Sequence, residues 1–280
     1  MNALELKGLE KSFSGFQLQN LNLTLPSGCI LGLIGENGAG KSTTIKLILD
    51  MIHKDSGTIT LLGQEQSKAL PLAKDEIGVV MDDVSLSDCM NAMQCARFLS
   101  HVYRHWEMDT FTQLLKKLGI PEKKPIKNLS RGTKVKLNIA VALSHNAKLL
   151  LLDEPTNGLD PVVRDEVVSL LNEFTRDPSH SILISSHIVC DLEKLCDYVA
   201  FLHKGKLLLC EEKDELLSRY SILRCTPQQL QDYDPNAILH TTNSPYGVEA
   251  VVLRDNMPNP DQLSPISLEE LFVCMIKETI

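Results

Sequence analysis

The eight cysteines of this sequence include no C-x-x-C pair, tryptophan occurs once, and aromatic residues fill only 5% of 280 positions. Cysteines scattered singly argue against a disulfide framework or a zinc ribbon and read as reduced, buried small hydrophobes. The eight histidines are scattered as well. No apolar run approaches the roughly 18 residues needed to cross a bilayer. The amino-terminal MNALELKGLE lacks the basic start and apolar centre of a secretion signal, so the expectation is a cytoplasmic chain. A basic surplus is missing too. Lys and Arg number 28 against 36 Asp and Glu, giving a net charge of −8, which argues against a broad nucleic-acid footprint. What remains is 43% hydrophobic and 23% charged, the composition of a globular protein of one large or two unequal domains.

One stretch organises the rest. Cys29–Ile34 (CILGLI) is a short apolar run bracketed by Gly28 and Gly35, and it reads as a buried parallel strand. It delivers GENGAGKST, Gly35 to Thr43, which fits G-x-x-x-x-G-K-[ST]. Backbone N–H groups of such a loop converge on phosphate oxygens where no Cβ blocks the approach. Gly35, Asn37, Gly38, Ala39, Gly40, Lys41, Ser42 and Thr43 are therefore the candidate nucleotide-binding residues. Lys41 adds a point charge, Ser42 a hydroxyl for Mg²⁺, and the helical spacing of Ser42–Asp50 puts the positive end of a helix dipole beneath the anion.

Upstream, residues 3–7 and 16–25 alternate apolar and polar and read as half-exposed strands of an antiparallel flank. Phe13 and Phe16 fall in the expected connection between them, where either ring stacks on a nucleobase or packs in the core. Downstream, Gly57–Leu62 and Ile77–Met81 read as strands, the second ending at Asp82 and Asp83. Either this acidic pair faces Mg²⁺ at the carboxyl edge of the sheet, or it forms a solvated turn. From Ser87 to Leu129 the spacing turns helical, with Met90–Tyr103 and Met108–Leu118 as helices and Trp106 packing between them. Leu129–Gly132 then opens a helix over Thr133–His145.

Leu149–Leu152 is a run of four leucines, expected as a strand buried on both faces beside the phosphate-loop strand, with Asp153 and Glu154 at its end. Asp153 is placed to hold the Mg²⁺ shell and Glu154 to polarise an attacking water. Asp160 and Pro161 carry the N-cap and first-turn signals of the next helix. Ser181–Ser186 is a further buried strand, and His187 after it shares the same sheet edge, within reach of a γ-phosphate. Cys190–Asp197 reads as a helix, and Tyr198–His203 with Lys206–Glu211 as a hairpin. Beyond Ser218 prolines crowd the chain, and Ser221–Cys225, Gly247–Leu253 and Ser267–Lys277 alone show order. A small appendage of two or three strands and a terminal helix is expected there, serving as an interaction surface.

In this order, GENGAGKST, LSRGTK (Leu129–Lys134), LLLLDEP (Leu149–Pro155), NGLD (Asn157–Asp160) and SSH (Ser185–His187) resemble the ATP-binding subunit of an ABC transporter over roughly Ala3–Glu215. The resemblance implies an α/β P-loop NTPase with a mixed sheet core, an antiparallel β flank and a helical insertion at about 87–145. Residues 1–217 would form the ATP-binding domain and residues 218–280 the small α+β appendage. It implies ATP and Mg²⁺ as cofactors, Phe13 as the adenine-stacking aromatic, and Lys41, Glu154 and His187 as catalytic residues. The metal would be held by Ser42, Asp82 and Asp153. Two cassettes would sandwich ATP, with Ser130 and Gly132 of one closing on the γ-phosphate held by the other.

Two departures stand out. Asp82 occupies the position of a glutamine that touches Mg²⁺ and signals to the permease, and Arg131 and Thr133 replace a glycine and a glutamine of the signature. Acidic residues at position 82, the LSRG form and the SLEELFVCMIK ending are similar to ABC-2-type exporters of the bacitracin and sodium efflux group. The expected protein is an ATPase that drives a separate membrane permease from the inner face of the cell membrane, without nucleic acid. Its alternatives are a soluble ABC-type ATPase acting on ribosomes or DNA, or a weakly hydrolysing regulatory subunit.

Overall fold

The computed structural model describes residues 1–67, 74–81, 86–245, 247–259 and 263–278. Its first sheet begins with an antiparallel pair, β1 (Asn2–Phe13) and β2 (Phe16–Pro26). Alternation dictates the pairing. Leu4, Leu6 and Leu9 lie opposite Leu25, Leu23 and Leu21, so one face of the ribbon is a leucine stripe. The strands run on to a two-residue turn at Ser14–Gly15, so Phe13 and Phe16 are a cross-strand pair rather than part of a loop. Register shifts between Leu6 and Lys11 hide this continuation from a period-two reading.

The remaining strands of this sheet are β3 (Ile30–Ile34), β4 (Ser56–Leu61), β5 (Gln64–Glu65), β6 (Ile77–Val80), β7 (Leu149–Asp153), β8 (Ser181–Ser186), β9 (Tyr198–His203) and β10 (Lys206–Glu212). Their order is β5-β4-β1-β2-β10-β9-β3-β8-β7-β6. The strands from β9 to β6 are parallel, and the antiparallel flank joins them through β10. The strand β8 lies between β7 and β3, so the acidic strand and the phosphate-loop strand are not immediate neighbours as the sequence suggested.

Period-two geometry sorts the leucine run of β7 between two cores. Leu149 and Leu151 pack with β1, β2 and the helix α1 (Lys41–Ile48), whereas Leu150 and Leu152 pack on the opposite face. That opposite face is covered by α4 (Arg131–Leu143), α5 (Pro161–Phe174) and α6 (Val189–Leu195). With both faces covered, β3, β7 and β8 are buried at every residue. Each such leucine contributes about 1.5–3 kcal/mol on burial.

Helices α2 (Ala92–Leu99) and α3 (Met108–Lys117) stand off the sheet around a third cluster built on Phe111, Leu115 and Leu137. Trp106 packs there, 5.3 Å from Phe111 between ring centroids. At the carboxyl end, α7 (Lys213–Arg219) leads into a four-stranded antiparallel sheet of β11 (Tyr220–Cys225), β12 (Ile238–Ser244), β13 (Gly247–Leu253) and β14 (Leu263–Pro265), ordered β12-β13-β11-β14. A one-turn α8 (Pro227–Leu230) intervenes. The final helix α9 (Leu268–Glu278) docks back on the main core, where Phe272 meets Phe201 edge-on at 5.1 Å.

Candidate nucleotide site

Strand register builds the site. In the parallel ladders Leu33 lies opposite Ser185 and Asp153 opposite Ser185 from the other side, so β3, β8 and β7 end at one level. Their following loops share one rim of the sheet, the place where open α/β sheets collect ligands.

The loop after β3 closes at Gly40, whose φ of 113° suits glycine, and a Cβ there would lie 2.9 Å from Phe16 Cζ. Ala39 N–H donates to the Glu36 carbonyl, and Gly205 N–H in the β9–β10 turn donates to the Ala39 carbonyl from beneath. Lys41 is 5% exposed. Its ammonium donates to the carbonyls of Gly35 at 2.7 Å and Glu36 at 3.2 Å, and it pairs with Glu154 Oε1 at 3.0 Å. All three donors of the lysine thereby have partners.

Glu154 adopts φ of 50°, which costs a side chain about 1–3 kcal/mol and persists only where neighbours hold it. The neighbour is Ser185. Glu154 N–H donates to both the carbonyl and the hydroxyl of Ser185 at 3.1 Å, and that hydroxyl donates to Asp153 Oδ1 at 2.6 Å. Glu154 Oε2 lies 2.7 Å from His187 Nδ1 and accepts the His187 backbone N–H at 3.3 Å. The carboxylate is thus held at one oxygen by Lys41 and at the other by His187. A cavity of about 430 Å³ opens over this group, lined by Phe16, Glu36, Gly38, Lys41, Ser42, Thr43, Asp153, Glu154 and Asn157 among others.

A family model described as ABC transporter matches residues 18–157. The ABC transporter ATP-binding protein YtrB of Bacillus subtilis (strain 168) is 32% identical over 96% of this chain and 97% of its own length. The chain belongs to the ABC transporter ATP-binding family. The lantibiotic transport ATP-binding protein SrtF of Streptococcus pyogenes is 37% identical over 75% of this chain and 91% of its own. A solved ATP-binding subunit of an ABC transporter superposes with a TM-score of 0.69 at 25% identity, covering 77% of this chain and 92% of that one. As a member, this cassette binds and hydrolyses ATP as a transporter subunit.

Within the cassette the sequence-derived residues divide by their relation to the cavity. Asn37, Gly38, Gly40, Lys41, Ser42, Thr43, Asp153 and Glu154 line the cavity, Gly35 and Ala39 lie buried behind it, and His187 reaches it through Glu154. Phe13 is 47% exposed and outside the lining, and the ring in the cavity is that of Phe16, 6.5 Å away between centroids. Ser130 and Gly132 lie outside the cavity, at the start of α4, where Ser130 Oγ caps the helix by accepting Thr133 N–H at 3.2 Å. Asp82 and its neighbour Asp83 fall outside the described residues.

Glu36, Asn157 and Ser185 were given no role in the sequence reading. The signal for Ser185 is the pair of hydroxyls, Ser185 and Ser186, that closes the buried strand SILISS after three apolar residues. Among the described residues, no three His, Cys, Asp or Glu side chains cluster into a dedicated metal cage. Ser42 and Asp153 are nonetheless hard oxygen donors that both line the cavity, the donor types by which a protein shares Mg²⁺ with substrate phosphates. Among the described residues, no helix is long and apolar enough to cross a membrane.

Proposed function

We propose that this cassette hydrolyses ATP as one half of a dimer of cassettes that drives a separate transmembrane permease, working as an exporter. The observation that carries the reading is the Lys41–Glu154–His187 chain of contacts at the rim where the phosphate loop and the acidic strand end. The backbone N–H groups of Gly38–Thr44 and the amino end of α1 receive the phosphates. Lys41 turns from Glu154 to the β- and γ-phosphates, which leaves the Glu154 carboxylate held by His187 alone. Glu154 then takes a proton from the attacking water as its oxygen bonds to the γ-phosphorus and the bond to the ADP oxygen breaks. His187 steadies the γ-phosphate. Ser42 and Asp153 would hold Mg²⁺, which when bound neutralises charge developing on the phosphate oxygens.

Ser130 stands exposed and Gly132 half-buried at a helix start away from their own chain's cavity. That supports a role in trans, with this second anion site closing on a phosphate held by the partner cassette. A groove of about 370 Å³ between the sheet end and the helical block is lined by Met51, Val79, Met81, Leu99, Tyr103 and Val141 among others. Met51 and Val79 are exposed in it, which favours docking of a permease helix between residues 87–145 and the core. The relative named for lantibiotic transport supports the exporter reading. Residues 218–280 form the appendage and residues 1–217 the ATP-binding domain.

The test is phosphate release by the purified chain with Mg²⁺ and ATP, alone and with the detergent-extracted membrane protein that co-purifies with it. Stimulation by that protein supports the transporter reading. Co-purification of ribosomes or DNA in its place would overturn it.

A further inference from the structure

The second turn of α5 makes two ion pairs on opposite sides. Successive helical residues turn by about 100°, so positions two apart lie about 200° apart around the axis. Glu166 pairs with Lys136 of α4, the helix that Ser130 caps. Arg164 faces the other way. Its Nε lies 3.5 Å from Asp191 Oδ2 on α6, and its Nη2 lies 3.5 Å from the carbonyl of Leu159, the last residue before Asp160 caps α5. Asp191 is 6% exposed, and both Arg164 Nε and Asp191 Oδ2 are buried without a hydrogen-bond partner among the described residues. Asp191 therefore depends on Arg164 for compensation, since an isolated charge in such a place is strongly unfavourable, whereas the Arg164 side chain is 27% exposed and keeps contact with solvent.

The two ends of this pair matter for what they adjoin. Asp191 lies four residues beyond His187, in the first turn of α6, and the His187 ring and backbone N–H hold Glu154. Leu159 belongs to the loop that starts at Asn157, which lines the nucleotide cavity. The signature start leans on the same loop, because a Cβ on Gly158 would lie 2.7 Å from Arg131 Nη1. A planar guanidinium with several fixed donors suits a link between a carbonyl and a carboxylate.

We infer that Arg164 is a positioning residue which, through Asp191 and the Leu159 carbonyl, fixes the His187–Glu154 pair in register with the loop Asn157–Asp160 and the signature helix α4. The inference rests on the hydrolytic roles proposed for Glu154 and His187. It assigns no contact with nucleotide to Arg164 or Asp191. Their loss affects the rate of the hydrolytic step while the phosphate loop binds as before.

The experiment compares the full-length parent with Asp191→Asn and the double variant Arg164→Gln/Asp191→Asn. The double variant removes both charges together and so avoids leaving one uncompensated, which keeps a folded protein for measurement if the single change unfolds. Phosphate release at saturating Mg²⁺ and ATP gives kcat, titration with a fluorescent ATP analogue gives Kd, and thermal melting reports the fold. In the double variant kcat is expected to fall about tenfold to a hundredfold, as a small displacement of catalytic groups causes. Kd is expected to stay within about twofold of the parent, the split that separates loss of the reaction step from loss of binding.

A double variant that hydrolyses ATP at the parent rate would overturn the inference. So would a rate loss matched by an equal weakening of Kd, because a merely structural role moves both. Glu154→Gln and His187→Ala run beside it as controls. If both controls retain the parent rate, the reading of the site falls and this inference with it. If they lose activity while the double variant keeps it, the positioning role alone is wrong.

Discussion

Lys41 and Glu154 form an ion pair of 3.0 Å between side chains that are 5% and 11% exposed. The lysine proposed to bind phosphate and the glutamate proposed to polarise the attacking water are thus partners in this structure. On that proposal phosphate competes with Glu154 for the lysine.

Changing Glu154 to Gln removes the proposed base and the competing charge together. Phosphate release should fall by about 10²–10⁴-fold, the usual contribution of a positioned base. Affinity for the ATP analogue should stay level or rise. A variant that binds more weakly than the parent would show that Glu154 does not compete for Lys41.

Replacing Lys41 by Ala takes away the only side-chain cation lining the cavity among the described residues. A hydrogen bond to a charged group contributes about 1.5–3 kcal/mol, so Kd should weaken roughly tenfold to a hundredfold. Equilibrium titration of the purified variant measures it.

Phe16 lines the cavity and Phe13 stands largely exposed beside it. An aromatic contact with a base is expected to contribute about 0.5–1.5 kcal/mol, so either Phe→Ala change should weaken ATP about two- to tenfold if its ring stacks. Titrating both variants with ATP and with inorganic triphosphate separates base stacking from support of Gly40. Weakened triphosphate binding in Phe16→Ala would assign that ring to the loop rather than to the base.

Phe272 on α9 is 6% exposed and packs against Phe201 in the main core. Phe272→Ala should cost about 3–5 kcal/mol, as other large-to-small core changes do. Urea unfolding followed by far-UV circular dichroism should show one transition at a lower midpoint. A separate early transition with the main midpoint unchanged would mean that α9 contributes nothing to the core.

His145 is buried, stacks on Tyr103 at 4.0 Å, and meets the Asp75 carbonyl through Nδ1 at 2.9 Å, while Nε2 is buried without a partner among the described residues. Burial holds its pKa below the ordinary 6.5. The unfolded chain therefore takes up this proton first, so the stability is fully present above about pH 6.5 and declines as pH falls below it. The urea midpoint should drop between about pH 7.5 and pH 5.5, and more steeply in the parent than in His145→Phe. Equal slopes in the two proteins would mean that another group governs the pH response.

The nucleotide half of the site is legible in the chain because it is local. A strand, a glycine loop and a helix follow one another within twenty residues, and the leucine run before Asp153 announces a strand buried on both faces. The strand β12 is not legible. ILHTTNS carries no apolar alternation, since it is an edge strand whose main partner is β13 alone. The Phe13–Phe16 pairing was missed because irregular register between Leu6 and Lys11 breaks the alternation that marks a strand.

The sequence by itself marked the phosphate loop, the acidic pair and the histidine as candidates, because each follows directly on a short apolar run that reads as a buried strand and so falls at that strand's end. Only the tertiary structure decided that β8 separates β7 from β3, that Ser185 bridges Asp153 and Glu154, and that Lys41 meets Glu154 across more than a hundred positions. Those relations come from strand order and register, which arise when distant segments bury their apolar faces together.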